Sequence, residues 1–538
     1  MANESFEWFD LEDADSGDAG LDWLVESVGF LGDQDKKAIR KIFAGARCLI
    51  VEHHYIDKDY RNVYSGYYSK KFSDYSGRAI RIHIFDVIVL RNVFYLSSDE
   101  FNNELGRLSK EFAVKECADT SPGYRGNVVL RPTEYSRLGR CLLDPRKLAL
   151  ASPGAHQVQG VLAPYRAYIM GQKLEVMAFP HQSQDAEAHV CAETAMWSLF
   201  RYLSQRYPNY REIYPFDVAL LNKDKSLGRT VPSRGLVMTQ IAAMFAEYGL
   251  EAEYFDLQFA KDQPCPPSDL WCGIQKLPDP QPNQDMIDML VRYLQIYVDS
   301  GLPPIIGLPG HAVVAFGYVC DSKLLVDRGG LMIPSTDFLR GFVVNDDNCL
   351  PYQILLRDKI EGQLYKHTFQ GIDAFVAPLP AKVFLSALNA EMLTNRMMAS
   401  FFEESDVAGS GVRYVRRMFC TSSKNYKQLR SRDQDRFSRF LISQPLSHFL
   451  WVTEFVPLDM WGDREMKPVV SMEIVLDATA GFYDQSPFLW MRSQQRFWYN
   501  PSRMHGWSEN RIKMIKSEVG ETKWPLLLTQ FRDNKRLI

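Results

Sequence analysis

Hydrophobic and polar positions along the chain follow two periods. Helical spacing runs through DQDKKAIRKIFAGA, through Cys191, Ala195, Met196, Leu199, Phe200 and Leu203, and through DMIDMLVRYLQIYV and AKVFLSALNAEMLTNRM. Each stretch predicts a helix with one buried stripe. Short runs rich in β-branched and aromatic residues predict strands at 48–51, 80–90, 93–96 and 127–130. Further strands are predicted on both sides of the Gly/Pro turn in GLPPIIGLPGHAVVAFGYVC, before Asn345 in GFVVNDDNCLPY, and in HFLWVTEFV, VVSMEIVLDAT and FLWMRSQQRFW. The predicted fold class is α+β.

Breaks in this pattern divide the 538 residues into a lead segment, 1–34, and three units, 35–168, 169–380 and 381–538, each near the usual size of a domain. The outer two read as mixed α and β, the last with helices followed by strands. In the lead segment every charged side chain is acidic, and Phe6, Trp8, Phe9, Leu11, Leu21, Trp23 and Leu24 interrupt it. It is expected to be a mobile, solvated terminus, the alternative being a docking peptide that orders on a partner. The proline-rich QPCPPSDLWCGIQKLPDPQPNQD reads as a long irregular insertion, either a wall beside a cleft or a surface excursion. The basic stretch RYVRRMFCTSSKNYKQLRSRDQDRFSRF reads as a solvated helix face.

Composition narrows the class. Hydrophobic residues make up 46% and charged residues 24% of the chain, proportions of a folded protein. The net charge of −4 offers no general field for phosphates, so nucleic acid is not an expected partner. The opening MANESFEWFDLED lacks a signal-peptide pattern, and no apolar run is long enough to span a bilayer. Nine cysteines without CxxC spacing fit free thiols in a reducing cytoplasm. His53 and His54 with Asp57 and Asp59 suggest metal ligands only weakly, because neighbouring strand residues face opposite ways; no metal or other cofactor is expected.

The chemistry concentrates in FPHQSQDAEAHVCAETAMWSLFRYLS. Cys191 opens the helical run, and a thiol at a helix N-terminus feels the positive end of the dipole, which favours the thiolate. Gln184, or alternatively Gln182, can supply an amide that helps stabilise an oxyanion. His311 begins a strand behind a glycine, exposed enough to exchange a proton. Asp346, flanked by Asn345 and Asp347, follows another strand and can orient the imidazole.

This order, glutamine, cysteine on a helix N-terminus, Gly-His-Ala-Val-Val-x-x-Gly-Tyr, then Asn-Asp after a strand, resembles the papain-like cysteine peptidases. The nearest likeness is to the bacteriocin-processing, double-glycine branch, and it covers about 179–352. The resemblance implies a helix carrying the cysteine packed on an antiparallel sheet carrying the histidine and aspartate. It makes Cys191 the nucleophile, His311 the base and acid, Asp346 the orienting residue and Gln184 the oxyanion donor. Three departures stand out: Ala192 replaces the glycine after the cysteine, the Gln184–Cys191 spacing is one residue longer, and Asp346-Asp347 replaces Asp-Pro. These leave Gln182, Asp347 and Asn345 as alternatives.

The implied activity is an intracellular hydrolase that cleaves a peptide, isopeptide or amide bond through a thioester, with the flanking units selecting a protein or peptide substrate or a specific partner. With an amine as acceptor the same residues would serve an acyltransferase or transglutaminase, and a silent site would leave a binding scaffold. No Gly-x4-Gly-Lys-Ser/Thr loop is present, so the transporter ATPase that accompanies many members of the branch is not expected.

Overall fold

In the computed structural model the described residues are 5–11, 40, 42–115, 117, 119–134, 137–148, 157–223, 230–257, 282–321, 324, 330–360, 365–401, 411–433, 435–461, 469–481, 486–493, 496–501, 513–516, 526–527 and 534–536. The first sheet takes its strands in chain order: β1 (Phe6–Asp10), β2 (Cys48–Tyr55), β3 (Ala79–Phe85), β4 (Tyr124–Leu130) and β5 (Leu138–Leu143), all antiparallel. Helices α1 (Lys58–Gly66) and α2 (Ser98–Glu111) lie in its connections.

Of the lead segment expected to be mobile, residues 5–11 are described and pack on the fold, while Leu21, Trp23 and Leu24 lie outside the described residues. Phe6, Trp8, Phe9 and Leu11 pack against the first hydrophobic core, and Trp8 pairs with Ile50 across the β1–β2 ladder, so ordering the strand buries apolar surface. The strand expected at 93–96 is instead a 3-10 turn, Arg91–Tyr95. Adjacent Val93 and Phe94 both turn inward, which an extended backbone does not allow, and the Ser97–Glu100 capping box starts α2 at once. The strand expected over 80–90 ends at Phe85, where Asp86 pairs with Arg125 at 2.6 Å. The helical reading of 33–46 lies mostly outside the described residues, and so does most of the proline-rich insertion.

Next come β6 (Gln157–Val161), the hairpin β7 (Ala163–Ile169) and β8 (Gln172–Ala178), α3 (Cys191–Arg206), α4 (Pro215–Leu220), α5 (Met238–Tyr248), β9 (Leu250–Asp256) and α6 (Pro282–Asp299). They are followed by β10 (Ile305–Leu308), β11 (His311–Cys320), β12 (Met332–Pro334), β13 (Leu339–Asn345), β14 (Gln353–Leu356) and β15 (Ala374–Pro380). The last part holds α7 (Ala387–Phe401), β16 (Tyr414–Ser422), α8 (Ser423–Arg430), α9 (Arg436–Ser443), β17 (Phe449–Pro457), β18 (Val469–Val470), β19 (Met472–Asp477), β20 (Phe488–Ser493), β21 (Arg496–Tyr499), β22 (Lys513–Lys516), β23 (Leu526–Leu527) and β24 (Asn534–Arg536).

The central sheet runs β14-β13-β11-β10-β15-β9, with β6 beside the second half of β11 and β24 beyond β6. Alternate residues feed two cores. Val314, Phe316, Val343 and Val376 face the core that contains α3, whereas Val313, Ala315, Val344 and Phe375 face the one that contains α6. Both faces are covered, which is why these strands read as unbroken apolar runs.

The unit limits inferred at 168 and 380 are not breaks in packing. β6 and β24 both join the central sheet, β12 pairs in parallel with β16 of the third sheet, and each of the two large cores crosses a predicted limit.

The basic stretch is also not a solvated helix face. Its first half is the buried strand β16, with Arg417 against Asp299 at 3.0 Å, and Arg430 of α8 is buried against Glu454, Glu473 and Asp433. Guanidinium groups counted as surface charge by sequence are internal ion pairs here.

Gly317 marks the point where β11 gains β6 as a neighbour, beside a register shift in its pairing with β13. A Cβ there would lie 2.4 Å from the Gln159 carbonyl oxygen, a backbone atom. Gly317→Ala is therefore expected to force β6 off β11 and cost about 1–3 kcal/mol, read as a lowered urea midpoint. Wild-type stability in that variant would refute the close approach.

Candidate active site

The site begins in the loop before α3. Asp185, almost wholly buried, accepts the backbone N–H groups of Glu187, Ala188 and His189 on Oδ1 at 3.1, 2.9 and 3.0 Å. Its Oδ2 takes the Tyr68 hydroxyl at 3.1 Å and lies 3.3 Å from His189 Nδ1, and His189 Nε2 is 3.4 Å from Arg131 Nη1. Burial opposes ionisation of Asp185, but the His189 ring, Arg131 and the backbone donors outweigh it and hold the carboxyl well below the usual range. The loop also holds Ala186 in the left-handed region, at φ 60°, which costs strain that the Asp185 bonds offset. This clamp delivers Cys191 as the first residue of α3, where the helix has unsatisfied N–H groups.

His311 comes from a tight hairpin. Leu308 pairs with His311, Pro309 presets the turn, and Gly310 takes φ 68°, the conformation a type II turn requires at that position. On the other side of β11, Val314 pairs with Asn345 at the end of β13. Antiparallel register then carries the residues after Asn345 back toward the start of β11. Asp346 and Asp347 arrive beside His311 for that reason.

His311 Nε2 lies 2.8 Å from Asp346 Oδ1 and 3.6 Å from Asp347 Oδ1, and the Cys191 thiol lies close enough to the same imidazole to favour its charged form. With Nε2 held by the carboxylate, Nδ1 is the nitrogen left for the sulfur. Asp346 is anchored in turn, by the Tyr365 hydroxyl on Oδ2 at 2.9 Å and the Asn348 N–H on Oδ1 at 2.9 Å. Burial works against a charged imidazole, yet the Asp346 and Cys191 hydrogen bonds and the two carboxylates raise His311 to about 10. Asp346 is correspondingly lowered: burial is outweighed by the His311 bond and charge. Asp347 goes the other way. Burial raises it to about 7, against the pull of His311 and with the charge of Asp346 adding to the rise.

Cys191, His311 and Asp346 are thus brought together from three elements. Gln184 reaches the same cluster indirectly: its Nε2 donates to Asn348 Oδ1 at 2.6 Å, which leaves its second N–H uncommitted. Gln182 is deeply buried, its Nε2 without a protein partner. Asn345 is not beside the imidazole. Its Nδ2 donates to the Pro180 carbonyl at 2.8 Å and its Oδ1 accepts the Tyr352 N–H at 3.3 Å, stitching β13 to the segment that leads into Cys191. Tyr365 and His367, whose ring stacks 6.2 Å from that of His311, carry no local sequence signal and come to the site only through the fold.

His53 is paired with Glu7 at 3.0 Å, His54 is exposed, and Asp57 and Asp59 are paired with Arg140 at 2.7 and 3.1 Å, so these four do not converge on a metal. Among the described residues, the donors that do converge are those of His311, Asp346 and Asp347, within 4.8 Å of one another. No helix among the described residues is long and apolar enough to cross a membrane. No family model matches the chain, and no curated protein matches it.

Proposed function

We propose that this chain is a papain-like cysteine hydrolase acting on a peptide or amide bond. One observation carries the reading: a thiol at a helix N-terminus, an imidazole and a carboxylate come together in the order Cys191, His311, Asp346, with the His311–Asp346 hydrogen bond at 2.8 Å and Cys191 beside the ring. In this reading Nδ1 of His311 takes the thiol proton, and Asp346 on Nε2 keeps the ring oriented and supports its positive charge. The raised His311 suits a ring that keeps the proton it takes. The sulfur attacks the carbonyl carbon, and the oxyanion is met by helix N–H groups and the free N–H of Gln184. The imidazolium then protonates the leaving amine, and water attacks the thioester to release the acid and return the thiol. The seven described cysteines are free thiols, which suits action in a reducing compartment such as the cytoplasm.

The test is mass-spectrometric labelling of the intact protein with a limiting thiol alkylator near neutral pH. Cys191 is expected to react first, and His311→Ala and Asp346→Ala are expected to remove that preference. If Cys191 reacts no faster than the other thiols, the hydrolase reading fails and a scaffold role takes its place.

A further inference from the structure

We propose that His311, Asp346 and Asp347 form a three-ligand site for a zinc-class divalent cation, and that its occupation silences the Cys191–His311 pair. The silencing rests on the hydrolase reading; the cation site does not.

Asp347 is the observation that demands an explanation. Its side chain is 2% exposed, neither oxygen has a hydrogen-bond partner, and it is aimed at the imidazole already satisfied by Asp346. A buried carboxylate without donors is costly. Proton relay needs only one carboxylate, and Tyr365 and Asn348 both serve Asp346. Two carboxylates therefore face one imidazole in a buried setting, and a divalent ion would give Asp347 the partner it lacks.

The spacing suits such an ion. Zinc bound at about 2.0–2.2 Å to nitrogen and oxygen donors in tetrahedral geometry separates them by about 3.3 Å. The His311 Nε2 distances to Asp346 Oδ1 and Asp347 Oδ1, 2.8 and 3.6 Å, bracket that value. One imidazole and two carboxylates are borderline-to-hard donors, suited to zinc-class ions rather than to soft copper(I). The fourth position is left for water.

The consequence for the proton relay follows from the two ring nitrogens. In the metal-free site Nε2 faces Asp346 and Nδ1 is able to accept the thiol proton. A cation on Nε2 displaces the proton from that nitrogen and leaves the ring's remaining hydrogen on Nδ1. An Nδ1–H cannot take a proton from sulfur, so the cysteine loses its base while Sγ itself remains unligated.

Zinc titration of the full chain by calorimetry tests the site, comparing wild type with Asp347→Asn and Cys191→Ser, with circular dichroism to confirm folding. The wild type is expected to bind one Zn²⁺ that Asp347→Asn weakens at least tenfold and Cys191→Ser leaves within a factor of about three. Cobalt(II) substitution supplies a second readout that needs no variant, and its spectrum is expected to lack a thiolate-to-metal charge-transfer band. Unchanged zinc affinity in Asp347→Asn, or a site lost only in Cys191→Ser with a thiolate band in the wild-type cobalt form, overturns the proposal. Zinc binding with the expected variant pattern in a protein whose Cys191 labels like any other thiol retires the hydrolase reading and leaves the cation site standing.

Discussion

Cys191→Ala is expected to abolish acyl-enzyme formation and bring the hydrolysis of an activated ester such as p-nitrophenyl acetate to the buffer rate, a loss on the order of 10³-fold or more. The sulfur is the atom that would carry the acyl group, and no neighbouring thiol or hydroxyl among the described residues is placed to substitute for it: the groups beside it are the His311 imidazole, held by Asp346, and the Asp347 carboxyl. His311→Ala is expected to approach the same loss, because residues that act as one unit fail together. Asp346→Asn should be milder than Asp346→Ala, since an amide oxygen can still accept the Nε2–H and hold the ring. The check is intact-protein mass after brief exposure to the ester, with an acetyl adduct on Cys191 in the wild type and none in Cys191→Ala. Turnover that survives in Cys191→Ala would place the chemistry elsewhere and end the hydrolase reading.

Glu473→Ala should produce the largest loss of stability, about 3–5 kcal/mol, the usual cost of leaving a buried charge without its partner. Glu473, fully buried on β19, accepts Arg430 Nη2 at 2.8 Å, Arg492 Nε at 2.9 Å and the Tyr426 hydroxyl at 2.6 Å. Truncation removes the closest carboxylate from two buried guanidinium groups beside Trp490, Tyr426 and Phe419, leaving Arg430 to Glu454 and Asp433 and Arg492 to the more distant Asp433 and Asp435. Urea unfolding followed by tryptophan fluorescence reports on this sheet through Trp451 and Trp490. Burial opposes the charge on Glu473, but Arg430 and Arg492 hold its carboxyl below the usual range. A depressed carboxylate stabilises the fold fully above its unfolded value, about 4.3, and loses that contribution as pH falls through the folded value. The wild type should therefore weaken on acidification below about pH 4.3, and Glu473→Ala should show a flatter acid limb. A variant within about 1 kcal/mol of wild type, with the same acid limb, would mean that the network does not hold the sheet.

How far the sequence carried can be read from individual elements. The helix that starts at Cys191, the strand that starts at His311 and the strand that ends before Asp346 were all visible, because helical spacing, a Pro-Gly turn and a short apolar run are local signals. The residue types themselves supplied a thiol, an imidazole and a carboxylate. Other features had no local signature. Whether Asn345, Asp346 or Asp347 meets the imidazole depends on β11–β13 register, and one residue of shift would exchange them. Tyr365 reaches Asp346 from a segment with no motif of its own. The acidic lead looked solvated because all its charges are of one sign, yet within its described part Phe6, Trp8, Phe9 and Leu11 pack on the core as an edge strand forms. Arg417 and Arg430 looked like surface charge because sequence shows a cation but not the carboxylates on α6, β17 and β19 that neutralise it. Sequence alone determined which reactive side chains are present and on which kind of element each stands. Only the tertiary structure decided which groups meet and which charges are buried, since both depend on register and packing between residues far apart in the chain.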